Sequence, residues 1–249
     1  MAARLPEDGE FSLGPVRLPA GRRIITEDEE PVAWVTEDPV AEPGRVWAAL
    51  RDLHTDSGLV PVLLDPEDNL ADFFFTGGVD PGEIDGLSAV EVLADSWAVH
   101  DDAAGPPPGK ESDLAPAEGA ALPVATLTAA LGWFQAAHIG LVPAARPADV
   151  PAAVGWVAFS DLMDHRNGVW IGSVLRSFER RFGARLVQIG PGAAIRLLVE
   201  RPPHTLKAAR RIAAEHRAFA DEYLGLGPMD VEQLAAALVD TPGWTFWWD

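Results

Sequence analysis

The clearest pattern in the chain lies at residues 168–183, GVWIGSVLRSFERRFG, where Ile171, Val174, Leu175, Phe178 and Phe182 recur at three- and four-residue spacing. One apolar stripe at that period predicts an amphipathic helix facing a core, and Gly183 supplies its stop. A second helical stripe starts at the cap Thr205 and places Leu206, Ala209, Ile212, Ala213, His216, Phe219 and Tyr223 inward, with Gly225 closing it. A third begins at Asp230, which has capping-box spacing to Gln233, and turns Val231, Leu234, Ala235 and Leu238 to the core. Between the first two, ARLVQIG and AAIRLLVE flank Gly190, Pro191 and Gly192 and read as a hairpin.

Upstream, the first ordered unit is expected to begin near residue 31. PVAWVTED (31–38) reads as a strand, PGRVWAALRDLHTDSG (43–58) as a helix that Pro43 opens and Gly58 ends, and LVPVLLD (59–65) as a buried strand. That is a βαβ unit, right-handed if its strands are parallel in one sheet. LSAVEVLADSWAVH (87–100) predicts a helix, with Ser88 and Glu91 at capping-box spacing and Val92, Leu93 and Trp97 on one face. IGLVPA (139–144), PADVPAAVG and WVAF (156–159) suggest a second strand, helix, strand run. Residues 119–145 carry no charge, but Pro123, Pro143, Gln135 and His138 favour a buried helix and strand over a membrane span.

At the end of the sequence, TPGWTFWWD, Pro242 and Gly243 break the last helix and an extended segment follows. Alternation points Trp244, Phe246 and Trp248 one way and Thr245 and Trp247 the other. Leaving such rings in water would forfeit roughly 1.5 to 3 kcal/mol each, so the segment is expected to dock on the body of the protein. Together these elements predict an α/β fold, with α+β as the variant left open. A mixed β-sheet is flanked by helices, with a βαβ unit in the amino-terminal part and a helix, hairpin, helix, helix order in the carboxy-terminal part. The organisation expected is an acidic part at 1–100, a Pro-, Gly- and Ala-rich linker or surface loop at 101–123, and a carboxy-terminal domain at 124–249.

Charge sharpens that division. Residues 1–146 hold 8 basic and 26 acidic residues, net −18, while 147–249 hold 11 and 12, net −1. A field of that sign disfavours nucleic acid and anionic membranes and steers a basic protein inward. With 249 residues, 48% of them hydrophobic, the chain can build a core without staples. The lack of cysteine excludes disulfides, thiolate zinc sites and cysteine nucleophiles. No secretory apolar run occurs near the start, so a cytoplasmic location is expected. Lysine occurs only at 110 and 207 in a chain rich in Ala, Gly and Pro, the bias of a high-GC bacterium.

Four stretches, in order, carry a resemblance: IGLVPAARPADVPAAVGW, VLRSFERRFGARLVQIG, VERPPHTLKAARRIAAEHRAF and WTFWWD. Over residues 139–249 the chain resembles the domain of unknown function 4253, an uncharacterised bacterial family abundant in actinobacteria. The resemblance implies no established activity. Where relatives often carry a Cys-Pro-Asp-Asn-like segment, this chain departs and reads ADEYLG (220–225), so the resemblance carries over no site from that segment.

Glycine-rich phosphate loops, the Gly-x-Ser-x-Gly elbow and the His-Glu-x-x-His helix are all missing. Two chemical candidates remain. DLMDHRN (161–167) gathers Asp161, Asp164 and His165, oxygen and imidazole ligands that a divalent metal could use, although the spacing matches no defined motif. Glu215 and His216 sit together on the long helix and are the acid/base candidates, with a hydrogen-bonded core histidine as the commoner role for His216. Trp247 and Asp249, and the run Glu27, Asp28, Glu29 and Glu30, are the residues expected to meet a partner. The reading these features favour is a non-catalytic protein-interaction protein, an inhibitor or immunity-type partner of a basic protein, needing no cofactor. The alternative is an enzyme, or a metal or small-ligand sensor, with its pocket between the two parts. Oligomeric state is not encoded in these patterns.

Overall fold

Strands form where β-branched and aromatic residues alternate, and helices where apolar residues return every three to four positions. The computed structural model describes residues 3–26, 29–66, 79–97, 106–158, 166–190, 194–220 and 230–248. The amino-terminal elements are β1 (Gly9–Leu13), β2 (Val16–Ile25), β3 (Pro31–Thr36), β4 (Val40–Ala41), α1 (Pro43–Arg51), α2 (His54–Ser57), β5 (Leu59–Leu64) and α3 (Ala89–Trp97). Next come α4 (Val124–Ala130), β6 (Ala136–Pro143), α5 (Val150–Ala153), β7 (Val157–Ala158), β8 (Arg166–Asn167) and α6 (Gly168–Phe182). The last are β9 (Arg185–Ile189), β10 (Ala194–Leu198), α7 (Leu206–Phe219), α8 (Val231–Leu238) and β11 (Gly243–Trp247).

Nine of these strands make one mixed sheet in the order β1-β2-β3-β6-β5-β9-β10-β11, with β4 pairing β6 beside that path. Its described pairings are antiparallel except β5 with β9. β3 and β5 both run antiparallel to β6, which lies between them, so the expected βαβ unit is split by a strand from later in the chain. All six residues of β5 are buried, which demands neighbours on both edges and cover on both faces. β6 supplies one of those neighbours, and the segments before and after 101–123 share one sheet.

Other expectations change as well. Ordered structure starts ahead of residue 31, in the β1–β2 hairpin. Its sequence signal is faint because VRLPAGRRII mixes Pro19, Gly21 and three arginines into a strand near the sheet edge. The Trp34 indole lies across Gly21, where an added Cβ would meet the ring at 2.3 Å. The 43–58 helix is two helices, α1 and the single turn α2, ended by Gly58 at φ 69°. The second strand, helix, strand run keeps β6 and α5, but β7 joins β8 in a separate two-stranded ribbon. Both long edges of β6 are already taken by β3 and β5.

The helices divide between the two faces. On one, α3, α6, α7 and α8 cover Val60, Val62, Leu186, Leu197, Trp244 and Phe246. On the other, α1 and α4 cover Leu59, Leu63, Ile139 and Leu141 with Trp47, Leu50 and Leu127. The Trp47 Nε1 donates to the Pro61 carbonyl at 2.8 Å, fixing α1 on β5. The uncharged stretch yields α4 and then β6, but α4 is only half covered, with Leu127 and Ala130 buried and Val124 73% exposed. Among the described residues no helix is long and apolar enough to cross a membrane.

The carboxy-terminal helices follow their sequence signals closely. Asn167 caps α6 by accepting the Trp170 N–H at 3.0 Å, and Gly183 ends it at φ 63°. Asp230 and Gln233 form the reciprocal capping box of α8. Thr205 caps α7, yet Leu206 is exposed rather than inward, because it occupies the first turn, before the stripe reaches the core. α7 ends at Phe219, short of the expected close at Gly225, because Ala220 is already extended at φ −143° and ψ 145°; Tyr223 and Gly225 themselves lie outside the described residues. β11 pairs antiparallel with β10, burying Trp244, Phe246 and Trp248 while Thr245 and Trp247 are half buried on the opposite face. Phe178 of α6 meets Trp244 edge-on at 5.5 Å and stacks on Phe246 at 5.9 Å. Trp248 packs on Phe219 at 5.2 Å and donates its Nε1 to the Phe219 carbonyl at 2.8 Å. Trp244→Ala is therefore expected to cost about 3 to 5 kcal/mol in urea unfolding, whereas Trp247→Ala should cost under about 1 kcal/mol. Equal losses would contradict this division of faces.

Candidate functional site

The stripe that places Phe178 and Phe182 inward leaves Arg181 at the rim of α6, facing α7. There its Nη2 donates to Glu215 Oε2 at 2.7 Å, and Nη1 donates to Glu215 Oε1 at 3.2 Å and to the Ala115 carbonyl at 2.7 Å. The Ala115 N–H completes the ring by donating to Glu215 Oε1 at 2.6 Å. The guanidinium also lies over the Phe182 ring at 4.7 Å. The Glu215 side chain is only 3% exposed. Burial pushes its carboxyl up, against the downward pull of Arg181 and the Ala115 N–H. This is a buried, satisfied ion pair that clamps the segment before α4 onto α6 and α7; Arg211 adds a hydrogen bond from Nη2 to the Asp113 carbonyl at 3.1 Å. Removing either charge would strand the other, a loss of about 3 to 5 kcal/mol.

His216, next on α7, points to the aromatic cluster. Its ring lies 4.6 Å from Trp244 and from Phe246, and 5.6 Å from Phe178. Neither ring nitrogen has a hydrogen-bond partner among the described residues, and the Trp244 Nε1 also lacks one. This corrects the expectation of a hydrogen-bonded core histidine: the surroundings are aromatic rings, which offer only weak N–H···π acceptors. Burial, with Arg181 adding to it, pushes His216 down to about 3. A neutral imidazole sealed in this way has no access to a substrate proton. Glu215 and His216 are therefore sequence neighbours in different surroundings, one in an ion pair and the other among aromatic rings.

The remaining candidates are dispersed. Asp161, Asp164 and His165 lie outside the described residues, as do Glu27, Asp28 and Asp249. Among the described residues no group of three or more His, Asp or Glu side chains could hold a metal ion. Glu29 and Glu30 are exposed in the turn from β2 to β3, Glu29 at φ 61°. Trp247 stands on β11 opposite Ala194, and on the same face the exposed Trp133 ring covers Gly243.

Sequence reasoning passed over a groove of about 480 Å³ on the α1 and α4 face. Arg51, Asp52 and His54 come from the α1–α2 end, Arg185 from β9 and Glu200 from just beyond β10. Residues 121–131 close it with Leu122, Leu127 and Leu131. Arg51 donates Nε and Nη2 to the single Asp52 Oδ1 at 2.9 and 2.6 Å, and Arg185 reaches Glu200 Oε1 at 3.4 Å. The His54 Nε2 is paired with the Ala144 carbonyl at 2.9 Å. No single run of sequence contains this constellation, which is why it left no motif.

Residues 138–249 match the family described as Domain of unknown function (DUF4253). The match starts in β6 and includes Arg181, Arg185, Glu200, Glu215 and His216, but not the α1 wall of the groove. No curated protein and no solved structure matches the chain.

The His216 environment has a pH signature. Its folded-state value is depressed, so its contribution to stability is present above the unfolded value, near 6.5, and is lost as pH falls towards about 3. Across that window the unfolded chain holds one more proton at this position, worth about 1.4 kcal/mol per pH unit. His216→Leu should flatten the stability curve between those values by that slope and leave the protein at least as stable at pH 8. Parallel acid-unfolding curves for the two proteins would show that His216 is not buried in neutral form.

Proposed function

We propose that the chain is a non-catalytic protein-interaction protein whose partner is a basic protein, in the manner of an inhibitor or immunity-type protein. The observation that carries this reading is the outer surface of α3 and the turn before it. Glu83, Glu91 and Asp95 are exposed there, and no ion pair joins them to a cation among the described residues. The arginines that do reach this layer are already engaged, Arg176 with Asp85 and Asp149 and Arg180 with Glu111. An uncompensated carboxylate surface raises the association rate of a basic partner and penalises an acidic one. The enclosure of Glu215 and His216 also supports a non-catalytic role. The absence of cysteine and the high-GC composition are in keeping with an actinobacterial cytoplasm as the place of encounter.

The test compares the wild-type chain with a Glu83→Gln, Glu91→Gln, Asp95→Asn variant as baits in lysate of the encoding organism, at low and at moderate salt. A polypeptide of basic isoelectric point should be enriched on the wild type at low salt. Its affinity should fall about tenfold or more both with added salt and with the variant. Recovery of the same proteins with the same affinity on both baits would contradict the reading.

A further inference from the structure

We propose that the groove between the α1–α2 end and the β9–β10 strands binds a small zwitterion with an aliphatic body, of the α-amino-acid class. Its volume of about 480 Å³ falls within the span of small-molecule sites, about 300 to 1,000 Å³. The floor is aliphatic, with Leu127, Leu131 and Leu198 nearly buried, and Val124 stands at the rim 73% exposed. Val124 is the most exposed of the large apolar side chains described, and an aliphatic ligand would give it cover.

The walls set the charge of the ligand. One carries Arg51 and Asp52, the other Arg185 and Glu200, so cations and anions balance. A simple anion or a simple cation meets no net field in such a groove, whereas a molecule with both charges can address one of each. The groups also retain capacity. The Arg185 to Glu200 contact, at 3.4 Å, is longer than the roughly 2.7 to 2.9 Å of a good charge-assisted hydrogen bond. Neither terminal nitrogen of Arg185 nor Oε2 of Glu200 has a hydrogen-bond partner among the described residues. Both side chains are more than a third exposed, so little is lost when they turn to a ligand. A ligand carboxylate would sit against the Arg185 fork and its ammonium against Glu200, with the aliphatic chain over Leu127 and Leu131. The Leu122 N–H donates to the Glu200 carbonyl at 2.7 Å and holds that wall to the closing segment.

This groove lies on the sheet face opposite α3, so the proposal stands independently of the acidic surface. It is tested by titration calorimetry of the full chain with L-leucine, alongside 4-methylpentanoate and 3-methylbutylamine, which each lack one charge. Saturable binding of L-leucine is expected, with each analogue at least about tenfold weaker. Arg185→Gln should weaken L-leucine at least about tenfold without weakening the amine, and Glu200→Gln should weaken L-leucine to a similar degree without weakening the carboxylate. Because both residues are half exposed, thermal unfolding of these variants should stay close to the wild type. Failure of L-leucine, L-isoleucine and L-valine to bind saturably up to about 10 mM would overturn the proposal. Equal binding by the wild type and both variants would overturn it as well.

Discussion

Phe178 touches Trp244 edge-on and Phe246 face to face, with Trp248 closing on Phe219, and through these contacts β11 holds α6 and α7 against the sheet. The physical basis is large apolar area removed from water, at roughly 25 cal/mol per Å², with ring geometry selecting how the pieces fit. Because α6 is fixed in this way, Arg181 comes to rest over Phe182 and reaches Glu215 and the backbone of Ala115. Because α7 is fixed, His216 is enclosed. The ion pair, the sealed imidazole and the course of residues 106–123 are all consequences of the same packing.

A polar pair and an unsatisfied histidine beside so many rings look costly, and each has its own compensation. Glu215 and Arg181 satisfy one another and the backbone of Ala115, which offers both a carbonyl and an N–H. Such a pair contributes specificity of register more than net stability, since its attraction is offset by the loss of hydration. His216 is tolerated because it stays neutral, which makes it an aromatic filler at neutral pH and a liability in acid. Within the sheet, β6 between β3 and β5 ties the acidic early chain to the later one, and β5 with β9 does so again.

Much of this was legible where the signal is local. The stripe of α6, the capping box of Asp230 and Gln233, the hairpin around 190–192 and the facing of Trp244, Phe246 and Trp248 all rest on residues within a turn or two of one another. Strand order is different, because the insertion of β6 depends on partners about 75 to 105 residues away. The β1–β2 hairpin was hidden by its arginines, proline and glycine, which an edge hairpin can carry and a central strand cannot. The site was less legible than the fold. Glu215 and His216 were picked out as a pair, but what surrounds them comes from α6, β11 and residue 115. The groove draws on four separated segments and offers no spacing to recognise.

The two surfaces proposed for binding lie on opposite faces of the sheet: acidic α3 on one, the charge-balanced groove on the other. β11 is built into the same core, packing on α6 and α7 and pairing with β10. Native-state hydrogen exchange of the full chain tests that most directly. The account predicts that the amides of Thr245 and Phe246 exchange with the same free energy as those in the middle of α6 and α7, at the level of global unfolding. Exchange of β11 by local opening, with α6 and α7 still protected, would contradict it.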